Sequence, residues 1–388
     1  MAQLEVADVF RKFSASYLEA FGETMLPSHR RALEDIMACR TPAMGGQMYR
    51  CGNCERTFYA YHGCRNRSCP ACHTDQTRRW LGARCAELLP CAYYHVCVTV
   101  PEQLRETLRA NQRDGYALLM KAASAAVLEL CADQRRMGAT PAVLSVLHTW
   151  TAAMQYHPHV HLLVSGGGLG ADGKTWREAA HPFLLPVHAL SKLVRGKFMA
   201  LLKKARPDLA GHVAADVWKR PWVTWCKPWG KGETAVLDYL ARYVHRIAIA
   251  NARILAMDGY TVTFRYKDRK AGVFRICTVS GHEFMRRFLQ HVLPKGFHKV
   301  RYSGLWHASR RAQRQNVRNT LQLRHTPKTP PPAPGGLAAV EPEPAAMSGD
   351  HPSNPPCPHC GGLDTKCIGT VLKEHKTKPA RASPRRPQ

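Results

Sequence analysis

The stretch Gln155–Gly168 constrains the fold of this chain more than any other part of the sequence. It reads Gln-Tyr-His-Pro-His-Val-His-Leu-Leu-Val-Ser-Gly-Gly-Gly. In a β-strand, His157, His159 and His161 lie on one face, and the apolar residues between them lie on the other. Histidine is the commonest metal-ligating side chain, so His159 and His161 predict a shared metal ion. A polar strand edge with hydrogen-bonded histidines is the alternative.

A predicted β-hairpin supplies a third metal-ligand candidate. Ala142–Thr151 and His157–Ser165 read as two strands joined by a turn near residues 153–154. Antiparallel pairing about that turn places His148 opposite the neighbourhood of His159. We therefore expect His148 to lie beside the histidine pair.

The order of the predicted elements is typical of an α+β fold. A strand at Tyr94–Val100 is followed by a long helix at Gly115–Cys131 and then by the two strands of the hairpin. Strand, helix, strand, strand is the first half of a ferredoxin-like split βαβ unit. We expect an antiparallel sheet with helices on one face, preceded by two amphipathic helices within residues 5–38.

The cysteines predict metal binding near the N-terminus. Cys51-Gly-Asn-Cys54 and Cys69-Pro-Ala-Cys72 are two Cys-x2-Cys pairs separated by 14 residues. Such pairs in an intracellular chain are typical of one structural zinc ion held by four thiolates. Reduced core cysteines are the alternative interpretation. Three further residues compete as ligands: His62, Cys64 and His73.

A second cysteine motif lies beyond a predicted linker. Residues 326–356 are rich in proline and alanine and predict a linker without a fold. Cys357-Pro-His-Cys360 follows, with Cys367 or His375 as possible partners. Half a site leaves zinc binding at 357–388 open. The last residues, Lys376–Gln388, predict a basic disordered tail.

The charge of the chain points to a polyanionic partner. Lys and Arg total 56 against 28 acidic residues, which gives a net charge of +28. Such an excess is typical of nucleic-acid binding. Residues 218–229 interleave tryptophans with Lys and Arg, which suits base stacking and phosphate contact. The sequence contains no secretory signal and no run of ~18 apolar residues, so we expect an intracellular protein without a membrane span.

A pair of tyrosines gives the histidine strand a chemical partner. Glu233–Ala250 predicts an amphipathic helix, and Tyr239 and Tyr243 border its apolar stripe at i and i+4. Alone, these tyrosines fit core packing as well as chemistry. Beside a metal that polarises a phosphodiester, either tyrosine could attack the phosphorus. A phenol with a pKa of about 10 is a weak nucleophile but a tolerable leaving group, so the reaction could be reversed.

These motifs together resemble the HUH-type (His-hydrophobic-His) endonucleases and, within them, the two-tyrosine rolling-circle transposases of bacterial insertion sequences. The likeness runs from about residue 25 to residue 320. Four motifs carry it: His-Pro-His-Val-His-Leu-Leu-Val-Ser-Gly-Gly-Gly at 157–168, Tyr-Leu-Ala-Arg-Tyr-Val-His-Arg at 239–246, Val-Thr-Phe-Arg-Tyr-Lys-Asp at 262–268, and Cys-Arg-Asn-Arg-Ser-Cys-Pro-Ala-Cys at 64–72. The family usually has Arg-His-Cys-Pro where this chain has Ser68, so no histidine ligand is expected there.

The resemblance implies a reaction and a set of partners. His159 and His161 would hold a catalytic Mg²⁺ or Mn²⁺, His148 matches a third histidine of the relaxases in the superfamily, and Tyr239 and Tyr243 would be the nucleophiles. The family cuts single-stranded DNA at the ends of the element and becomes linked to the 5′ phosphate. Its second tyrosine serves a further strand transfer. Such a transposase would act on transposon ends and target DNA in the bacterial cytoplasm, at the nucleoid.

The resemblance also suggests a domain plan and a DNA-binding surface. The helical, zinc-binding part would span 1–90 and the catalytic part 91–325. A replication initiator or relaxase, and a non-catalytic zinc-ribbon DNA-binding protein, are the alternative functions. Basic residues near the motifs are the candidate DNA contacts: Arg65, Arg67, Lys227, Arg242, Arg246, Lys267, Arg269 and Lys270.

Overall fold

A computed structural model describes residues 3–72, 88–180, 182–231, 236, 239, 243–244, 247–268, 271–325 and 354–373. Most of the helix predicted at Glu233–Ala250 lies outside these residues. Within that segment, Val236 and Tyr239 are helical, and Tyr243 and Val244 belong to a π-helical turn.

The described part of the chain contains both strands and helices, in runs of one to four elements of the same kind. The strands are β1 (Gly46–Cys51), β2 (Thr57–Tyr61), β3 (Ala92–Thr99), β4 (Ala139–Trp150), β5 (Tyr156–Gly170), β6 (Trp176–Glu178), β7 (Val223–Lys231), β8 (Ile254–Met257), β9 (Thr261–Lys267), β10 (Phe274–Ser280), β11 (Val300–Gly304) and β12 (Thr365–Val371). The helices are α1 (Val6–Phe21), α2 (Pro27–Ala38), α3 (Arg105–Ala110), α4 (Gln112–Ala132), α5 (Val187–Ala205), α6 (Pro207–His212), α7 (Asp216–Lys219), α8 (Gly281–Leu289) and α9 (Arg311–His325). The protein is therefore α+β, as predicted.

The largest sheet is antiparallel and has the strand order β11-β4-β5-β3-β7, with β6 paired to β5. β4 and β5 form the predicted hairpin, and His148 pairs with His159 in its register. The hairpin prediction is thus confirmed. Gly168 allows the two strands to approach, because a Cβ atom there would lie 2.6 Å from the backbone of Thr140.

One face of this sheet packs against α4 and α5. Val96 and Val98 of β3 and Leu162 of β5 join the apolar residues of the two helices in one core. Helix α4 is long and apolar enough to cross a membrane by length and composition alone, but 61% of its most apolar window is buried in the protein. Its position beneath the sheet is that of a core helix.

The opposite face of the sheet is also covered, whereas the sequence led us to expect helices on one face. Tyr93 and Leu163 pack there with Val236, Tyr239 and, from α9, Leu321. The second layer matters for function because it lies on the side of the sheet that carries the histidines. Val236 and Tyr239 are thus packed against the histidine strand.

A second lobe joins parts of the chain that are distant in sequence. The apolar faces of α1, α2 and α8 share a core with the small sheet β8-β9-β10. A turn separates β8 from β9 in this sheet. The Asp258 carboxylate accepts hydrogen bonds from the backbone of Tyr260 and Thr261 and stabilises that turn.

A third sheet brings the two ends of the described chain together. β1 lies at its centre, between β2 and β12, and both pairings are antiparallel. The C-terminal segment 354–373 is therefore a folded part of the N-terminal module. We call this unit, residues 46–61 and 354–373, the ribbon.

Candidate active site and metal centres

Three histidines form a cluster on the central sheet. The candidate ligand atoms of His148, His159 and His161 all lie within 4.8 Å of one another. His148 comes from β4 and the other two from β5, so the register of the hairpin sets their spacing. Because this spacing suits donors around one cation, the structure brings together the three histidines that the sequence predicted.

Hydrogen bonds orient each histidine of this cluster. His148 donates from Nε2 to the carbonyl of Tyr243 at 2.6 Å, and His159 donates from Nδ1 to the carbonyl of His157 at 2.6 Å. Nδ1 of His161 lies 2.9 Å from Nε2 of His95. Metal-ligating histidines ordinarily engage their second nitrogen in this way, which fixes the tautomer and the ring orientation. The cluster therefore fits a metal site by its chemistry as well as by its spacing.

Tyr243 lies directly beside the cluster. Its ring centroid is 4.2 Å from that of His161 and 6.0 Å from that of His148. The residue is half-buried. Its backbone carbonyl accepts the hydrogen bond from His148, which ties the tyrosine segment to the histidine strand.

Tyr239 lies behind Tyr243 and is fully buried. The two ring centroids are 4.9 Å apart. Among the described residues the Tyr239 hydroxyl has no hydrogen-bond partner. Burial raises its pKa well above the usual value, and nearby Tyr243 and Cys97 raise it further. In this arrangement the Tyr239 phenol is enclosed, whereas Tyr243 is only half-buried.

His95 is a site residue that the sequence analysis missed. It is buried on β3, hydrogen-bonded to His161, with its ring 4.3 Å from Trp225 and 5.1 Å from Trp229. Its ring also contacts Tyr243, at 4.5 Å. The available signal was a single histidine within an apolar strand, Tyr-Tyr-His-Val-Cys-Val, whose partner strand could not be assigned without the topology.

The cysteines form two clusters rather than the single site that was predicted. The first cluster consists of Cys39, Cys64, Cys69 and Cys72. Sulfur atoms of Cys39 and Cys72 are 3.5 Å apart, and those of Cys64 and Cys72 are 3.8 Å apart. Cys69 and Cys72 therefore lie close to Cys64 and to Cys39, which follows α2, instead of to Cys51 and Cys54. Among the competing ligands, Cys64 is in the cluster, His62 is exposed outside it, and His73 lies outside the described residues.

The electrostatics of this first cluster favour a cation. Side-chain hydrogen bonds from Cys64 and Cys69 hold the pKa of the Cys39 thiol well below its usual range. The same contacts with Cys39 raise the pKa values of Cys64 and Cys69. One thiolate is thus stabilised, whereas ionisation of a second is disfavoured. A divalent cation would be needed to hold all four cysteines as thiolates.

The second cluster consists of Cys51, Cys54, Cys357 and Cys360. The sequence offered Cys367 or His375 as partners for the C-terminal pair. Instead, the pairing of β12 with β1 brings that pair to Cys51 and Cys54. Cys367 is exposed on β12 outside the cluster, and His375 lies outside the described residues.

The candidate DNA contacts have different environments. Arg67 donates hydrogen bonds to the backbone carbonyls of Leu293, Pro294 and Phe297, so its guanidinium is engaged within the protein rather than offered to phosphate. Lys227 and Lys267 are exposed. Lys227 pairs with His95 across β7 and β3, which places the two residues on the same face.

The remaining candidates divide into one exposed residue and four that cannot be placed. Arg65 is exposed and has a positive φ of 55°. Four candidates lie outside the described residues: Arg242, Arg246, Arg269 and Lys270.

Comparisons with known proteins match both halves of the chain. A family model described as "Transposase zinc-binding domain", of the IS91 type, matches residues 9–100. A family model described as "Putative transposase" matches residues 142–314. No solved structure matches the chain significantly.

Two curated relatives are both named as transposases. "Putative transposase y4qJ" of Sinorhizobium fredii is 39% identical over 77% of this chain and 79% of its own length. The "Transposase for insertion sequence element IS801" of Pseudomonas savastanoi is 27% identical over 69% of this chain and 68% of its own length. The resemblance found from the sequence is thereby confirmed, and the chain belongs to the family of insertion-sequence transposases with an IS91-type zinc-binding domain.

Proposed function

We propose that this transposase is an HUH-type endonuclease that cuts single-stranded DNA at the ends of its element with Tyr243 as the first nucleophile. The observation that supports the proposal is the contact of Tyr243 with the histidine cluster, 4.2 Å between the rings of Tyr243 and His161. Family membership favours transposition over the replication-initiator and relaxase alternatives, because both relatives are named transposases.

The proposed step exchanges one phosphodiester for another. The Tyr243 oxygen forms a bond to phosphorus, and the bond from phosphorus to the 3′ oxygen breaks. The phenol loses its proton and the departing 3′ oxygen gains one, so the products are a 5′-phosphotyrosyl link and a free 3′-hydroxyl. Little free energy is lost in this exchange, so a 3′-hydroxyl can reverse it and rejoin the strand.

The histidines would hold Mg²⁺ or Mn²⁺ at the scissile phosphate. When bound, the cation would polarise the phosphate and stabilise charge on its non-bridging oxygens. His95 would hold the ring of His161 in place, and the carbonyls of His157 and Tyr243 would do the same for His159 and His148. This support by neighbouring groups fixes the position of the phosphate relative to the phenol.

Tyr239 would perform a later strand transfer. Its hydroxyl is enclosed behind Tyr243, and burial keeps its pKa high. The segment that carries it would have to shift before Tyr239 could reach a phosphate. The two tyrosines would thus act in a fixed order, Tyr243 first.

Zinc in the first cysteine cluster would be structural. Cys39, Cys69 and Cys72 are buried in the core of the second lobe, with Cys64 beside them. Four protein ligands leave no open coordination position for a reacting water. We propose that this zinc shapes the surface that binds DNA, with exposed Arg65, Lys267 of the second lobe and Lys227 of the central sheet contacting phosphates.

An adduct assay with single-stranded oligonucleotides from the element's ends tests the proposal. With Mn²⁺ or Mg²⁺ present, the wild type should form a protein–DNA adduct that survives denaturation. Tyr243→Phe should form at least about a thousandfold less adduct than the wild type, because the nucleophile itself is removed. Tyr239→Phe, the matched control, should still form the first adduct and fail only in a later transfer.

Other results would contradict parts of the proposal. An adduct that persists in Tyr243→Phe but disappears in Tyr239→Phe would reverse the order of the tyrosines. An adduct in the double variant would remove both from the mechanism. A wild type that binds these oligonucleotides but never forms an adduct would favour the non-catalytic DNA-binding alternative.

A further inference from the structure

We propose that Cys51, Cys54, Cys357 and Cys360 bind a second structural zinc ion, which fastens the C-terminal segment to the N-terminal module. The zinc-binding family model ends near residue 100 and so includes only half of these ligands. The proposal does not depend on the histidines or the tyrosines.

The distances between the sulfur atoms match a zinc–thiolate tetrahedron. Cys51 and Cys360, like Cys54 and Cys357, have their sulfurs 3.6 Å apart. Zn–S bonds of about 2.3 Å in tetrahedral geometry separate the sulfurs by about 3.8 Å. A disulfide would require a separation of about 2.05 Å. The four thiols are therefore placed as ligands of one ion rather than as two cross-links.

The backbone around the C-terminal pair forms a tight turn that presents both sulfurs to the same point. The Gly361 amide donates to the carbonyl of Cys357 at 2.9 Å, and the Cys357 amide donates to the carbonyl of Gly362 at 2.9 Å. Gly361 has a φ of +74°, which favours glycine. On the other side, the Cys51 amide donates to the carbonyl of Arg56 at 3.0 Å. Both Cys-x2-Cys pairs are thus held by turns of their own.

The backbone pairing of the C-terminal segment completes the ribbon. β12 pairs with β1 from Cys51 opposite Thr365 to Gly46 opposite Val371. The Gly52 amide donates to the carbonyl of Asp364 at 2.7 Å, directly beside the ligands. The two segments are about 300 residues apart in sequence, so their pairing needs a strong local attraction to offset the entropy of closing that loop.

The apolar core of the ribbon is too small to supply this attraction. Its buried apolar members are Tyr49, Cys51, Phe58 and Cys357, and two of these are proposed ligands. Tyr49 and Phe58 stack with their centroids 5.6 Å apart, which leaves one aromatic pair as the remaining core. Units of this size ordinarily need a metal or cross-links to fold. The ribbon therefore depends on the ion for its stability.

Zinc counting on the full-length protein by native mass spectrometry tests the site. The double variant Cys357→Ser/Cys360→Ser should contain one zinc ion fewer than the wild type. Cys367→Ser removes an exposed thiol on β12 outside the cluster, and it should leave the zinc content unchanged. Equal zinc content in the wild type and the double variant would overturn the proposal.

Two measurements avoid the risk that the double variant misfolds. In the wild type, iodoacetamide should modify Cys360 slowly with zinc and at least about tenfold faster after chelation, because ligation protects the thiolate. Cys360 is exposed, so equal rates would exclude ligation there.

A protease cleavage site inserted between Pro334 and Gly335 gives the second measurement. After cleavage, the C-terminal fragment should elute with the rest of the protein in zinc and separate from it in chelator. A fragment that separates in the presence of zinc would show that the ion does not fasten this segment.

Discussion

The histidine cluster and the cysteine clusters are built in opposite ways. The histidines lie on neighbouring strands of the central sheet, whose register and two packed faces hold them in place. The cysteines of the ribbon come from segments about 300 residues apart and lie around a core of four residues. In the first region the fold positions the ligands, whereas in the second the ligands hold the fold together.

The difference separates the consequences of losing a metal. Without a cation, the histidines would stay in place because strand pairing, and not the metal, sets their spacing. Without zinc, the thiolates would repel one another and the segments that carry them would separate. A change in the first region should therefore affect chemistry, and a change in the second should affect stability.

The largest effect should come from the cysteine cluster of the second lobe. The double substitution Cys69→Ser/Cys72→Ser removes two proposed ligands that also belong to the apolar core. Structural zinc supplies roughly 10 kcal/mol or more of folding free energy, so this lobe should unfold at ambient temperature. Calorimetry and hydrogen exchange would show the loss. His161→Ala is the matched control and should lower the melting temperature by only a few degrees. Equal melting of both variants would show that the cysteine cluster of the second lobe stabilises the fold no more than the histidine cluster does.

A moderate loss of folding stability should appear as the pH falls, because of a histidine buried between the second lobe and the hairpin. His291 of the second lobe is buried against the hairpin turn, and donates from Nε2 to the carbonyl of Met154 at 3.0 Å. Burial lowers its pKa to about 4. In the unfolded chain a histidine takes up its proton near pH 6.5, so the folded state loses stability as the pH falls from 6.5 toward 4.

The size of this effect can be measured by a matched substitution. The slope for His291 is at most about 1.4 kcal/mol per pH unit. His291→Gln should flatten the dependence of unfolding free energy on pH between 7.5 and 5, and the comparison between the two proteins cancels any acid-induced release of zinc. Parallel curves for wild type and variant would show that His291 does not titrate on unfolding.

The smallest effect should be a loss of metal affinity on substitution of His95, which supports His161. His95→Phe keeps an aromatic ring among Trp225, Trp229 and Tyr243 but removes the hydrogen bond to His161. Loss of such support ordinarily lowers metal affinity or activity about 10- to 100-fold. Cleavage measured against Mn²⁺ concentration should recover at saturating metal, while the melting temperature stays near that of the wild type. His157→Phe, outside the cluster, should leave the Mn²⁺ dependence unchanged. A collapse in stability for His95→Phe would assign it a packing role instead.

Local patterns in the sequence were sufficient to predict that the three histidines lie together. The period of two and the turn near 153–154 placed His148 opposite His159, because a short hairpin fixes its own register. The spacing of Tyr239 and Tyr243 likewise predicted two phenols close together. No local pattern indicates that Tyr239 is enclosed, because its burial depends on the layer that covers the sheet.

The cysteine sites could not be predicted from local patterns, because their members come from segments that are distant in sequence. Four cysteines in two adjacent pairs look like one site, and the C-terminal pair lies beyond a linker. Nothing local distinguishes Cys39, which follows α2, from an ordinary buried thiol. Arg67 was misread for the same reason, because the carbonyls that it binds are more than 220 residues away in sequence.

The hydrogen bonds of Arg67 fix the position of the second lobe relative to the central sheet. Arg67 lies between Cys64 and Cys69 and donates hydrogen bonds to the peptide that connects α8 to β11. Phe297 of that peptide packs into the core under the central sheet. Hydrogen bonds from a charged donor contribute about 1.5–3 kcal/mol each, so turning one lobe against the other would be costly. The distance between the second lobe and Tyr243 is therefore fixed. DNA bound to the second lobe would be cut by Tyr243 at a set number of nucleotides from the bound sequence.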